Sequence, residues 1–170
     1  FRSGLKYDPY MYQKEIVHFA MNHDNSLVVS PTGSGKTMIM IALYNELRLS
    51  NKINTPGIIV VPASLKYQWT KEVSKFSNLT ANGIYTKQNF CKNVYLRLKK
   101  REKRIAELTI KEENDTITEK EQEMLLKARS EIVPLLKEID ETFESQFTGY
   151  DILVLNYETV NDDDVRNMLL

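Results

Sequence analysis

A stretch of thirteen residues, "VVSPTGSGKTMIM" (Val28–Met40), constrains this chain more than any other. Gly33 and Gly35 lie two apart, directly before a lysine and a threonine. An apolar run precedes them and a helix-forming run follows. Glycines at this spacing let backbone N–H groups turn inward around an anion, in conformations that a Cβ would obstruct. The partial positive charge of the following helix N-terminus adds to that attraction. The segment therefore predicts strand, phosphate loop and helix, with Thr32, Gly33, Ser34, Gly35, Lys36 and Thr37 around the phosphates. In this arrangement Lys36 reaches the terminal phosphates and Thr37 offers its hydroxyl to a Mg²⁺ ion. The strict pattern has glycine where this chain has Ser30.

The rest of the chain supplies a setting for such a loop. Asp8 to His23 reads as a helix with Pro9 in its first turn. "SLVVS" (Ser26–Ser30) reads as a short buried strand, and Lys36 to Leu49 as a helix packed on a sheet. "IIVVP" (Ile58–Pro62) is a β-branched run of the kind found in parallel sheets covered on both faces. Ser64 is placed to cap the next helix, whose Leu65, Trp69, Val73 and Phe76 form one stripe. "DILVLNY" (Asp151–Tyr157) is a third strand. The alternation predicts an α/β fold with a parallel sheet.

Residues 93–147 differ in kind. Half of the residues from Arg97 to Glu144 are charged, too many for a core. Val94, Leu98, Ile105 and Leu108 nevertheless recur near heptad spacing, as do Leu125, Ala128, Ile132, Leu135 and Ile139. "ENDTIT" reads as a turn and "TEKE" (Thr118–Glu121) as a capping box. The pattern predicts two antiparallel helices forming a charged hairpin, with Pro134 kinking or breaking the second. The domain reading is thus an α/β body at 1–92 and 148–170, interrupted by a hairpin at 93–147. The hairpin is either a solvated insertion or an arm that touches a protein partner or DNA. "KKREKR" (Lys99–Arg104) is its dense basic run.

Composition narrows the function classes. The formal net charge is zero, so a nucleic-acid role must rest on local features. Cys91 is the single cysteine and makes neither an intrachain disulfide nor a zinc site by itself. No run approaches the ~18 apolar residues of a membrane span, and no signal-peptide pattern opens the chain. The expectation is an intracellular protein, neither secreted nor membrane-bound.

With these residues in view, "SPTGSGKT" resembles motif I of superfamily 2 helicases and translocases, in which a small residue often replaces the first glycine. "PYMYQKEIVHFA" (Pro9–Ala20) is similar to the Q-motif of that family. The resemblance implies that Gln13 reads adenine, with Tyr7, Tyr10 or Tyr12 available to stack on the base. "IIVVPASLKYQWTKEVSKF" resembles motif Ia of the Swi/Snf-type group of double-stranded DNA translocases, which implies backbone contacts from Ser64 and Lys66. "DILVLNYETV" resembles motif Ib and brings in Tyr157, although Asn156 stands where a threonine is usual. The resemblance implies a RecA-like three-layer sandwich, here incomplete, that binds ATP and Mg²⁺ and acts on DNA. No apolar strand ending in Asp-Glu follows, so the chain reads as the front of a motor domain that alone hydrolyses ATP poorly. Two other readings stay open. One is a non-catalytic nucleotide-binding module whose hairpin recruits a partner. The other is an RNA helicase or a restriction-enzyme motor.

Overall fold

The computed structural model describes residues 4–170. Helix α1 (Met11–Met21) is followed by α2 (Lys36–Leu49), β1 (Gly57–Val60), α3 (Lys66–Phe76) and β2 (Ala81–Gly83). Then come α4 (Lys87–Phe90), α5 (Lys92–Glu113), α6 (Glu119–Ser130) and α7 (Ile132–Ser145). The chain returns through β3 (Ile152–Leu155), α8 (Tyr157–Val160) and α9 (Asp163–Leu169). It divides into two compact units: one runs through Ile84 and takes in Phe147–Asn161, the other is Tyr85–Gln146 with Asp162–Leu170. No helix among the described residues is long and apolar enough to cross a membrane.

The first unit is an α/β layer built on a parallel sheet of order β1-β3-β2. All four residues of the central strand β3 are buried, as its unbroken apolar run predicts. Ile152 and Val154 pack with Ile41 of α2, Val73 of α3, Val61 and Leu79 into one core. Asp151 ties the sheet together at the start of β3. Its carboxylate pairs with Arg48 and accepts hydrogen bonds from Thr80 N at 2.7 Å and Thr80 Oγ1 at 3.0 Å. Asp151→Ala should therefore lower stability by about 2 kcal/mol in urea unfolding, because several donors lose a charged acceptor. A loss below about 0.5 kcal/mol would class the cluster with ordinary surface ion pairs.

The structure departs from the sequence pattern at several points. Residues 26–30 form no strand, and Leu27 and Val29 are 86% and 84% exposed. So short an apolar run needs a ladder partner to become a strand, and residues 26–30 pair with no strand of the described residues. β1 is an edge strand rather than a doubly covered one: Ile58 and Val60 are exposed. Pro9 precedes α1 instead of opening it, since Tyr10 is the N-cap. Ser64 does not cap α3: Ala63–Leu65 form a 3₁₀ turn, and Leu65 precedes α3 without a side-chain cap.

The second unit is helical. Ion pairs Arg97–Glu138, Arg101–Glu131, Arg129–Glu112 and Lys111–Glu121 link α5 to α6 and α7. From Arg97 through Arg101 to Lys111 the partners descend from Glu138 through Glu131 to Glu121, so the pairing is antiparallel. The apolar stripes meet as their spacing predicts: Val94, Leu98, Leu108, Leu125, Ala128, Leu135 and Ile139 are buried. The second arm breaks at Glu131, between α6 and α7. Pro134 explains the break, because it has no N–H to donate one turn back to Ser130. The Thr118–Glu121 capping box forms: Thr118 Oγ1 accepts from Glu121 N at 3.3 Å, and Glu121 accepts from Thr118 N at 3.1 Å. Lys111 above all, then Thr118, holds the Glu121 carboxyl down at about 2. A carboxylate depressed in the folded state stabilises above its unfolded pKa, and that contribution is lost as pH falls toward 2.

Candidate functional site: the phosphate loop

The loop has the backbone that its sequence requires. Gly33 and Gly35 take φ values of 84° and 76°, in the left-handed region where a side chain is strained. Gly35 is also the N-cap of α2. The first helical hydrogen bond runs from Ile39 N to Gly35 O at 3.1 Å. The N–H groups of Lys36, Thr37 and Met38 therefore precede the ladder, as the first N–H groups of any helix do. Together with the glycines they form a cradle suited to an anion.

Two side chains from α1 hold the loop from outside. Tyr12 OH donates to Ser34 O at 2.7 Å, and Gln13 Nε2 donates to the same oxygen at 3.3 Å. The other end of the Gln13 amide accepts from Tyr10 N at 3.0 Å, the N3-to-N-cap half of a capping arrangement. Gln13 is buried. A Cβ on Gly35 would stand 2.5 Å from Gln13 Nε2. Both ends of the Gln13 amide are thus committed to protein partners, which places it as a support of the loop. Of the tyrosines considered for base stacking, Tyr10 and Tyr12 stack on each other with centroids 6.1 Å apart, and Tyr7 sits edge-on to Phe76 at 5.9 Å. Tyr12 as a loop-holding hydroxyl was missed by sequence reasoning. The signal available was only its adjacency to Gln13.

Ser30 has a definite task. Its hydroxyl is 2.7 Å from the Ser34 hydroxyl, across the base of the loop. A glycine could not make that bond. Lys36 Nζ donates to the carbonyls of Ser30 and Pro31, both at 2.9 Å. Its ammonium is therefore folded onto neutral acceptors of its own loop. Phosphate oxygens would be stronger, charge-assisted acceptors for the same donor. Thr32, Gly33 and Lys36 are exposed, and Thr37 is half-buried. The loop's residues fit a nucleotide phosphate. Among the described residues no group of three or more His, Cys, Asp or Glu side chains could hold a metal ion. Thr37 can give Mg²⁺ one oxygen, and the remaining ligands would come from phosphate and water.

A second set of residues gathers where β1 and β3 end. The strands are parallel and in register from Gly57↔Ile152 to Val60↔Leu155, so the turns after them leave the same end of the sheet. Ser64 and Tyr157 are exposed there. Lys66 is not: it is 5% exposed and its Nζ donates to Ile84 O at 2.5 Å. Burial pushes its pKa down, against the opposing pull of Glu158. The expected phosphate contact from Lys66 therefore lacks an exposed ammonium. Asn156 is buried too, its side-chain oxygen accepting from Thr159 Oγ1.

The α/β layer and the glycine loop opening onto α2 define a phosphate-loop nucleotide-binding fold. The chain belongs to the family described as type III restriction enzyme, res subunit, which matches residues 6–167. It is also 34% identical over 70 residues to an uncharacterized ATP-dependent helicase of Mycoplasma pneumoniae (strain ATCC 29342 / M129 / Subtype 1), a match covering 39% of this chain and 7% of that protein. The chain thus spans a small fraction of the length of the curated relative it matches.

Proposed function

We propose that this chain is the nucleotide-binding front part of an ATP-driven motor of the helicase–translocase class, acting on double-stranded DNA. The observation that carries the reading is the glycine loop, held by α1, with Lys36 and Thr37 at the N-terminus of α2. The family match supports a restriction-type DNA motor over the Swi/Snf-type group suggested by "SLKYQW". The helicase name of the Mycoplasma relative supports ATP as the fuel. Thr32 to Thr37 would surround the phosphates, with Mg²⁺ shared between Thr37 and phosphate oxygens. Gln13 would act mainly through the loop it supports. Ser64 and Tyr157 are proposed to meet the DNA backbone, and Lys66 to join them only if it leaves Ile84. Such a motor works inside the cell. ATP hydrolysis by this chain alone is expected to be slow, because among the described residues no strand ends in an Asp-Glu pair that could position the attacking water.

The test is a thermal melt with and without Mg·ATP. The wild-type chain should melt at a higher temperature with nucleotide, as any ligand selective for the folded state requires. Lys36→Ala should remove that shift. A shift of wild-type size in the variant would take the loop out of the mechanism.

A further inference from the structure

We propose that the outer flank of α5 is a landing surface for the sugar–phosphate backbone of duplex DNA. The proposal deepens the DNA-motor reading and rests on it for the identity of the polyanion. A chain of zero net charge conceals a marked internal asymmetry. Helix α5 carries eight Lys or Arg and four Glu, whereas α7 carries one Lys and four Asp or Glu. The hairpin's own ion pairs dispose of part of this excess. Arg97 and Arg101 are held by Glu138 and Glu131, and Lys111 by Glu121.

Of the five left over, Lys92 stands at the start of the helix and the other four lie together. Lys99, Lys100, Lys103 and Arg104 are all exposed. Among the described residues their carboxylate partner is Glu107 alone, shared by Lys103 at 4.0 Å and Arg104 at 3.5 Å. At about 100° per residue these side chains occupy an arc of roughly 140°, turned away from the buried Val94, Leu98 and Leu108. Lys100 also lines two concavities of the hairpin surface, one with Arg97 and Pro134, the other with Arg101 and Arg104.

The residue types point to a phosphate backbone. The arginines that face α6 and α7 are spent in fixed, directional pairs, whereas three of the four cations on the flank are lysines. A lysine is a point charge on a flexible stem and suits a track whose phosphates pass by without a fixed geometry. A docked acidic protein would instead call for an apolar centre beneath the charges, whereas the exposed apolar side chains on this flank are two isolated ones, Leu96 and Ile110, at its opposite ends.

The experiment measures fluorescence anisotropy of a labelled mixed-sequence DNA duplex against the full chain over a range of KCl concentrations. The wild type is compared with the quadruple variant Lys99→Gln, Lys100→Gln, Lys103→Gln, Arg104→Gln. Circular dichroism should show equal helix content, since every altered side chain is exposed. The variant is expected to bind at least about tenfold more weakly at low salt, with a log–log salt slope shallower by about 3.6 for four lost phosphate contacts. Equal affinity and slope would overturn the proposal, as would absence of DNA binding by the wild type at low salt. Equally tight binding of wild type to poly-glutamate would overturn it in favour of an acidic protein partner. The Mg·ATP melt on the same samples separates the two readings. Loss of the α5 effect with an intact nucleotide shift removes this surface alone, and an intact α5 effect without a nucleotide shift removes the ATP motor alone.

Discussion

Gly35→Ala should abolish most nucleotide binding, and should do so more severely than Gly33→Ala. Both glycines have positive φ, where alanine is strained by roughly 1–2 kcal/mol. They differ in what the new methyl would meet. Nothing lies within 4 Å of a Cβ on Gly33, whereas a Cβ on Gly35 meets Gln13 Nε2 at 2.5 Å. Side-chain ends usually yield cheaply, but this one is buried and bonded at both ends, to Tyr10 N and Ser34 O. Moving it removes one of the two holds that α1 has on the loop, leaving only Tyr12 OH on Ser34 O. Strain alone predicts a loss on the order of tenfold for Gly33→Ala, since 1.4 kcal/mol is a factor of ten. Gly35→Ala should exceed that by at least about another tenfold, measured by equilibrium titration with Mg·ATP. Equal effects of the two substitutions would mean that Gln13 does not support the binding conformation.

The second large effect concerns the open edge of the sheet. Gly57 N and Val61 N donate to the β3 side, to Asp151 O and Leu155 O. In a parallel ladder the alternate N–H groups, those of Ile58 and Val60, then face away from β3. Both residues are exposed, at 51% and 40%. An exposed apolar edge strand is a template for pairing with another chain. The isolated chain should therefore self-associate at tens of micromolar, within the range where such edges aggregate. The double variant Ile58→Lys, Val60→Lys should stay monomeric by light scattering under the same conditions, because charge on an edge blocks further pairing. A wild-type chain that stays monomeric up to about a millimolar would contradict this.

What was legible in the sequence was local. The bounds of α2, Lys36 to Leu49, follow from the glycines before it and the apolar run within it. The Thr118–Glu121 capping box and the break before Pro134 depend on residues within one turn, and pattern sufficed for both. Gln13 was expected to read adenine from its place ahead of the loop, and in the fold its amide meets Ser34 O and Tyr10 N.

Features decided by neighbours remote in the chain were not legible. Residues 26–30 have a strand's composition, yet strand formation depends on a partner that pattern cannot supply. β2 went unseen because "ANG" has no apolar alternation and is a strand only through its register with Ile152–Val154. Lys66 looked like a surface cation, since nothing nearby in sequence announces the Ile84 carbonyl that draws it inward. Ser30 was readable as a small residue replacing the first glycine, but its bond to Ser34 emerges only once the loop is closed.

Mg·ATP is expected to enter the loop between Ser30 and Thr37. The most direct measurement follows the backbone amide resonances of the chain during a Mg·ATP titration. The amides of Gly33, Gly35, Lys36 and Thr37 should shift progressively and saturate, and should stay still in Lys36→Ala. Stationary loop amides at saturating nucleotide, or shifts confined to other parts of the chain, would contradict it.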